Sequence, residues 1–316
     1  MSAPWIVVAG ATGTGKSELA AALAERLGCE IVNYDSIQIY RGFDIGSAKP
    51  DASLRARVPH HLYDAADPDQ ELNAADYARL ASGVCGEIES RGRRPLLVGG
   101  TGFWLRALLA GLPEMPPRDP MLRRRLQRIL SAPRGAARAH RWLARVDPAA
   151  AARIAPADRH RIERALEVWI LTGRPISART APGGRSPRRP SILLAVRFPR
   201  EALAARLDAR IEAMYEAGLV EETKGLLARY GPHARPLGSI GYAEAAAVAD
   251  GRMELAVAKA ETRRRTRAYA KRQMTWLRGE QDVHWLDGRL PIEALLEEAF
   301  DAVRRHSLSE RNSDHE

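Results

Sequence analysis

Gly10-Ala11-Thr12-Gly13-Thr14-Gly15-Lys16-Ser17 matches the spacing G-x-x-x-x-G-K-[ST]. The short apolar run Trp5 to Ala9 stands before it, and Ser17 to Leu27 follows with apolar residues at helical intervals. A strand, a glycine-rich turn and a helix in that order form a phosphate cradle. The glycines let successive backbone N–H groups turn inward, and the helix adds its positive end. Lys16 supplies a point charge, and Ser17 offers a hydroxyl to Mg²⁺. The expected ligand is a di- or triphosphate.

Outward from that turn, strand and helix signals keep alternating. Glu30 to Tyr34 reads as a second strand, Leu72 to Glu89 as a helix, and Pro95 to Val98 as a third strand stopped by Gly99-Gly100. Such alternation implies an α/β class, a P-loop-type parallel sheet flanked by helices, with ligands at the carboxyl ends of the strands. From Pro116 to Arg189 arginines crowd onto helical patterns, and 181–190 is rich in Pro, Gly, Ser and Arg. The expected organisation is a catalytic core from residues 1–115 and 190–303 and a helical insertion over 116–189. The core resumes with strands at Ile192 to Phe198 and Val283 to Leu286, and a disordered polar tail is expected over 304–316.

Composition narrows the class. With 316 residues, 45% hydrophobic and 28% charged, the chain is globular in character. No apolar run reaches the roughly 20 residues of a membrane span, and no charged n-region precedes Ile6, so neither a membrane anchor nor a signal peptide is expected. Cys29 and Cys85 lie far apart with no metal-ligand spacing. A disulfide scaffold and a zinc module are therefore unexpected, and a reducing, cytoplasmic setting fits. The net charge of +10 favours polyanions as partners. Lysine occurs only at 16, 49, 224, 259 and 271, so arginine carries nearly all of the surplus.

Asn33-Tyr34-Asp35-Ser36-Ile37-Gln38 follows the second strand. Asp35 is a candidate general base or metal ligand beside the cradle, or the cap of the next helix. Ser36 and Gln38 carry donors and acceptors suited to a base edge. Thr101, just past the third strand, could donate to a diphosphate oxygen. That strand ends in Gly99-Gly100-Thr101 with no acid to hold Mg²⁺, which weakens ATP hydrolysis and points to a substrate that carries a diphosphate. His60-His61 is read as structural, because adjacent side chains of an extended segment point to opposite faces. Residues 262–278 interleave arginines with Tyr269, Lys271, Gln273 and Trp276, a mixture that suits phosphates and unpaired bases. Arg206 and Arg210 lie four apart on one helical face.

Together these segments resemble the bacterial tRNA isopentenyltransferase (tRNA dimethylallyltransferase) family. The matching stretches are GATGTGKS at 10, YDSIQIYRGFDIGSAKP at 34–50, VPHHLYD from 58, LLVGGTGFW from 96, RALEVWILTGRPIS from 164 and AKRQMTWLR from 270. The resemblance implies transfer of a dimethylallyl group from dimethylallyl diphosphate to N6 of adenosine-37, 3′ of the anticodon, in tRNAs reading codons that begin with U. It implies Mg²⁺ at Ser17, no obligatory protein partner and a monomer. The P-loop, Gly10 to Ser17, would hold the donor's diphosphate. Asp35 would take the amine proton, Thr101 would stand beside the reacting groups, and Arg210 would meet the departing diphosphate. Contacts to tRNA would come from Asp35 to Gln38, Thr101, Arg123, His160-Arg161-Ile162-Glu163-Arg164, Ser239-Ile240-Gly241-Tyr242, and Lys271-Arg272-Gln273-Met274-Thr275-Trp276-Leu277-Arg278. The segment 231–241 is short beside longer-looped versions of the family. Three rival functions stay open: an adenylate isopentenyltransferase acting on free AMP, a P-loop kinase or ATPase, and a non-catalytic RNA-binding switch.

Overall fold

A computed structural model describes residues 3–179 and 188–313, with side chains described as far as 306. In chain order the elements are β1 (Trp5–Gly10), α1 (Lys16–Leu27), β2 (Cys29–Asn33), α2 (Ala52–Arg57), β3 (His60–His61), α3 (Ala74–Ser90), β4 (Arg94–Val98) and α4 (Gly102–Ala110). Five helices follow: α5 (Pro120–Ser131), α6 (Gly135–Val146), α7 (Pro148–Arg153), α8 (Arg159–Thr172) and α9 (Ile176–Arg179). The chain then forms β5 (Ser191–Arg197), α10 (Arg200–Glu216), α11 (Leu219–Tyr230), a 3₁₀ turn (Arg235–Gly238), α12 (Tyr242–Ala249), α13 (Leu255–Arg278), β6 (Val283–Asp287) and α14 (Ile292–Ser313).

Among the described residues the strands make one six-stranded parallel sheet in the order β3-β2-β4-β1-β5-β6. Alternate residues of each central strand feed opposite faces. Val7, Val32, Leu97 and Leu193 pack into a core with α3, α4 and α10 to α13. Ile6, Ile31, Leu96 and Leu194 pack against α1 and α14. A sheet buried on both faces requires near-continuous apolar strands, as β1 has. The register sets the tips of β1, β4 and β2 side by side, so the turns after them share one edge.

Two compact units partition the chain, 1–109 with 189–316, and 110–188. The second begins six residues before the expected boundary at 116. Its helices start on built caps: Asp119 accepts from Leu122 N ahead of Pro120, and Asp147 accepts from Ala150 N ahead of Pro148. Leu126, Leu130, Leu143, Ile162 and Leu166 form its core. The unit holds 17 arginines against 6 acidic residues, which leaves 32 basic and 33 acidic residues elsewhere. The whole positive surplus of the protein therefore belongs to this unit.

The expected disordered tail is corrected in part. α14 continues through Ser313, because Leu295, Ala299, Ala302 and Val303 carry an apolar stripe into the core and the helix propagates beyond it. Residues 314–316, and most of the expected linker 181–190, lie outside the described residues. Cys29 and Cys85 are buried free thiols, pushed up by desolvation to about 11 and about 12 respectively. His60 and His61 serve structure, as expected. His61 Nε2 lies 2.7 Å from Glu30, and His60 Nδ1 lies 2.7 Å from the Val58 carbonyl.

Candidate active site

The turn after β1 is bent as the motif requires. Gly13 and Gly15 have φ of 82° and 78°, and a Cβ on Gly13 would stand 2.7 Å from Leu207. Thr14 Oγ1 donates to the Ala11 carbonyl at 2.9 Å. Two distant helices brace the turn from outside. Arg206 Nε of α10 donates to the Gly13 carbonyl at 3.1 Å, and Thr12 N–H donates to Gln273 Oε1 of α13 at 2.9 Å.

Thr12, Lys16 and Ser17 open onto a cavity of about 350 Å³. Asp35 to Gln38 form a second wall, and Gly46 to Ala48 with Ser239 to Gly241 form a third. α10 contributes Leu207, Arg210, Ile211 and Met214, while α13 contributes Thr262, Arg265, Thr266, Tyr269, Arg272 and Gln273. The lining combines the Lys16 and Arg210 cations and the Asp35 carboxylate with the apolar side chains of Ile37, Leu207, Ile211, Met214 and Ile240. That chemistry suits an anion joined to a hydrocarbon better than it suits a nucleoside triphosphate.

Three charged groups define the electrostatics. Desolvation pushes the Lys16 ammonium down to about 8, the Arg210 charge adds to that, and Asp35 opposes it. Desolvation likewise lowers Arg210, with Asp35 again opposing. Two cations in a dehydrated space raise each other's energy and would be relieved by a polyanion. Asp35 is held by its own neighbourhood. Its N–H donates to Asn33 Oδ1 at 2.9 Å, and Oδ1 accepts from Ile37 N at 2.9 Å and Gln38 N at 3.4 Å. No helix follows Asp35 directly, so the helix-cap reading is corrected: Oδ1 instead caps the turn after β2, and the residue lines the cavity.

Thr101 is not among the cavity-lining residues. Its Oγ1 accepts from Ser36 N at 3.0 Å and donates to Ser36 Oγ at 3.2 Å, so it pins the end of β4 to the turn after β2. The Gln38 carboxamide donates to the Ser47 and Ala48 carbonyls, both at 3.0 Å, and so holds the third wall.

Sequence reasoning named the Ser239 to Gly241 part of that wall but missed Gly46 to Ala48 and the anchor that holds both. Glu222 of α11 accepts from Ile45 N at 2.9 Å and from the Tyr242 hydroxyl at 2.6 Å, and the same hydroxyl accepts from Gly46 N at 3.1 Å. The Lys49 ammonium, its side chain 2% exposed, bridges Asp44 and Asp64. Nothing local marks these pairings. The cavity face of α13 did leave a signal, because 262, 265, 266, 269, 272 and 273 recur at helical spacing.

Known proteins resemble this chain along most of its length. The family model described as IPP transferase matches residues 38–280, and one described as Isopentenyl transferase matches residues 5–63. The tRNA dimethylallyltransferase of Geobacter sulfurreducens is 47% identical over 285 residues, covering 89% of this chain and 91% of that protein. That of Koribacter versatilis is 44% identical, covering 96% and 99%. This chain belongs to the IPP transferase family. Among solved structures, the full-length tRNA isopentenylpyrophosphate transferase of Bacillus halodurans is 33% identical with a TM-score of 0.74, covering 100% of both chains. A eukaryotic dimethylallyltransferase acting on tRNA is 28% identical with a TM-score of 0.76, covering 91% of this chain and 74% of that one.

Several residues that the family resemblance gave to RNA contact have inward roles in this chain. Tyr242 and Leu277 are core residues at 0% and 1% exposure, and Ile162 lies in the core of the 110–188 unit. Gln273 is buried, and besides accepting from Thr12 it donates to the Gly100 carbonyl at 2.9 Å. Trp276 packs over Gly102, where an added Cβ would lie 2.4 Å from the indole. Buried Glu163 takes Arg123 Nε at 2.6 Å, and Glu167 takes Arg164 at 2.6 Å. Met274 packs with Ala11 and Leu207. In the chain without RNA these side chains hold other groups in place, and Gln273 also lines the active cavity. His160, Arg161, Lys271, Arg272, Thr275 and Arg278 are exposed.

Proposed function

We propose that this chain transfers a dimethylallyl group from dimethylallyl diphosphate to N6 of the adenosine 3′ of the anticodon in tRNA. One observation carries the reading: the phosphate cradle, an apolar strip and the Asp35 carboxylate all face a single cavity. The names of its relatives agree with it.

In the reaction the C1–O bond of the donor breaks and the electron pair leaves with diphosphate. A new C1–N6 bond forms, and the amine proton passes to Asp35. Lys16, Arg210 and the inward N–H groups of the turn stabilise the charge that develops on the leaving group. An exocyclic adenine amine is a poor nucleophile, so a carboxylate held on its Oδ1 by two N–H groups supplies the base at fixed position. The target base must leave its stack to enter the cavity, and the apolar wall keeps water from the allylic carbon.

Among the described residues no group of three or more His, Cys, Asp or Glu could hold a metal ion. A dedicated protein cage for Mg²⁺ is therefore not part of the proposal. Mg²⁺ ordinarily combines few protein oxygens with substrate phosphates, and Ser17 Oγ at the cavity wall fits that arrangement. When bound, the ion would neutralise diphosphate charge. The arginine surplus of residues 110–188 suits a polyanionic acceptor, and we assign that unit to gripping the anticodon arm. No helix among the described residues is long and apolar enough to cross a membrane, and the proposed setting is the cytoplasm.

Incubation with radiolabelled dimethylallyl diphosphate and Mg²⁺, offered tRNA or AMP, tests the reading. Label enters tRNA. Label in AMP and none in tRNA would replace this function with the free-nucleotide one.

A further inference from the structure

A second cavity, of about 260 Å³, opens at the carboxyl ends of β5 and β6 against the end of α13. Its lining is Arg197, Phe198, Met274, Arg278, Glu280 and Trp285. Nothing in the transfer chemistry uses it.

The charge in this cavity is positive. Glu280 lies under Arg106, 2.6 Å from its guanidinium, with a side chain 5% exposed. Asp287, beside Arg197 in the sheet, is gripped by Arg289 at 2.6 Å. Asp287 also feels the Arg197 charge, but its hydrogen-bonded ion pair is with Arg289. Arg197 and Arg278 are exposed at the cavity, and the Arg197 guanidinium sits 6.0 Å from the centre of the Trp285 ring.

The aromatic walls are held in place. A Cβ on Gly288 would fall 2.1 Å from the Phe198 ring, so the backbone there is pressed against the ring. Arg206 covers Phe198 from another side at 4.8 Å, while donating to the Gly13 carbonyl. Trp285 is half-buried and packs its remaining surface on the core. Fixed rings beside such guanidiniums are the elements that take single-stranded nucleic acid: the ring meets a base face and the guanidinium a phosphate.

We propose that this cavity is a nucleotide subsite for the RNA acceptor, in which Trp285 receives an unstacked base, Phe198 forms the wall beside it, and Arg197 with Arg278 hold its phosphate. The inference rests on the reading of tRNA as acceptor. It adds Arg197, Phe198 and Trp285 to the residues that meet RNA, and it separates RNA affinity at this subsite from chemistry in the larger cavity.

A fluorescein-labelled anticodon stem-loop, titrated with the full chain and followed by anisotropy, tests it directly. Trp285→Leu weakens binding about 5- to 100-fold, whereas Trp285→Phe, which keeps an aromatic face, restores most of it. Arg197→Ala lowers the slope of log affinity against log salt by about one, the value of a single neutralised phosphate. In transfer assays the KM for RNA rises and the KM for dimethylallyl diphosphate stays. Should Trp285→Leu fail to fold, the exposed Arg197→Ala and Arg197→Gln variants carry the test. Unchanged RNA affinity in the Arg197 variants overturns the subsite, as does a raised donor KM with RNA binding intact. RNA that binds the wild-type chain but accepts no label would sink the function and leave the subsite standing.

Discussion

The Tyr242 hydroxyl donates to the Glu222 carboxylate at 2.6 Å, and through this pair the start of α12 is tied to α11 and to the loop at residues 45–46. Gly46 is packed so closely on the Tyr242 ring that a Cβ there would lie 2.5 Å from it. Both segments of that cavity wall thus share one anchor. Glu222→Ala leaves Ile45 N and the Tyr242 hydroxyl without their acceptor and costs about 2 kcal/mol of stability. Urea denaturation reads that loss, and the KM for the RNA acceptor should rise with it. Tyr242→Phe, which removes one hydroxyl and keeps the ring, costs less. Equal midpoints for wild type and Glu222→Ala would show that the pair does not hold the wall.

Asp35→Asn should keep RNA binding and slow transfer by about 10²- to 10⁴-fold, the span that a positioned general base supplies. An amide oxygen can still accept from Ile37 N, so the turn survives while the proton acceptor is removed. Anisotropy with a stem-loop and label transfer on the same preparation separate the two effects. A rate close to wild type would remove Asp35 from the chemistry.

The pH dependence follows from Lys16, which desolvation and Arg210 lower from 10.5 to about 8. Only the ammonium form attracts a diphosphate, so kcat/KM for the donor falls as pH rises through about 8. Stability moves the other way over this range. Between about 8 and 10.5 the unfolded chain binds the extra proton, so the Lys16 contribution to stability increases with pH. A fall in activity there is therefore not unfolding. Lys16→Arg, which stays charged, should remove the decline from the pH–rate profile, and a wild-type profile flat through about pH 8 would contradict the assignment.

Gly102→Ala drives a methyl group toward the Trp276 ring, with about 2.4 Å available. Overpacking of this kind costs about 1–3 kcal/mol, and because α4 starts here the end of β4 should shift with it. Thermal melting with the transfer rate measured on the same variant checks both. An unchanged melting point would mean that Trp276 moves aside freely.

Arg124 and Arg128 are exposed on one face of α5, in the unit that carries the whole positive surplus. Replacing either with Ala should lower the salt slope of stem-loop binding by about one for each phosphate that the guanidinium had neutralised, and leave the donor KM alone. A slope equal to wild type would place the RNA on another face.

How much of this was legible in the chain depends on sequence distance. The cradle, the strand before it and the helix after it are local, and the glycines at 13 and 15 occupy the left-handed backbone that the motif demands. Asp35 and Thr101 could be placed at strand ends because apolar runs stop just before them. The packing of Gln273, Leu277 and Trp276 was not legible because a basic helix has an inward face that composition does not separate from its outward one. Glu222 went unseen because a carboxylate on a polar helix carries no local mark of the three donors it accepts.

Sequence alone settled the phosphate-binding turn, the parallel α/β class and a strongly basic helical insertion, since each follows from neighbours within a few residues obeying backbone sterics and periodicity. Tertiary structure decided which charges share a space. Lys16 and Asp35 meet because parallel strands align their carboxyl ends, α10 brings Arg210 to them, and Thr12 finds Gln273 across 261 residues of chain. Burial, which lowers Lys16 and turns half of α13 into scaffold, is a property of the packed assembly and of no segment by itself.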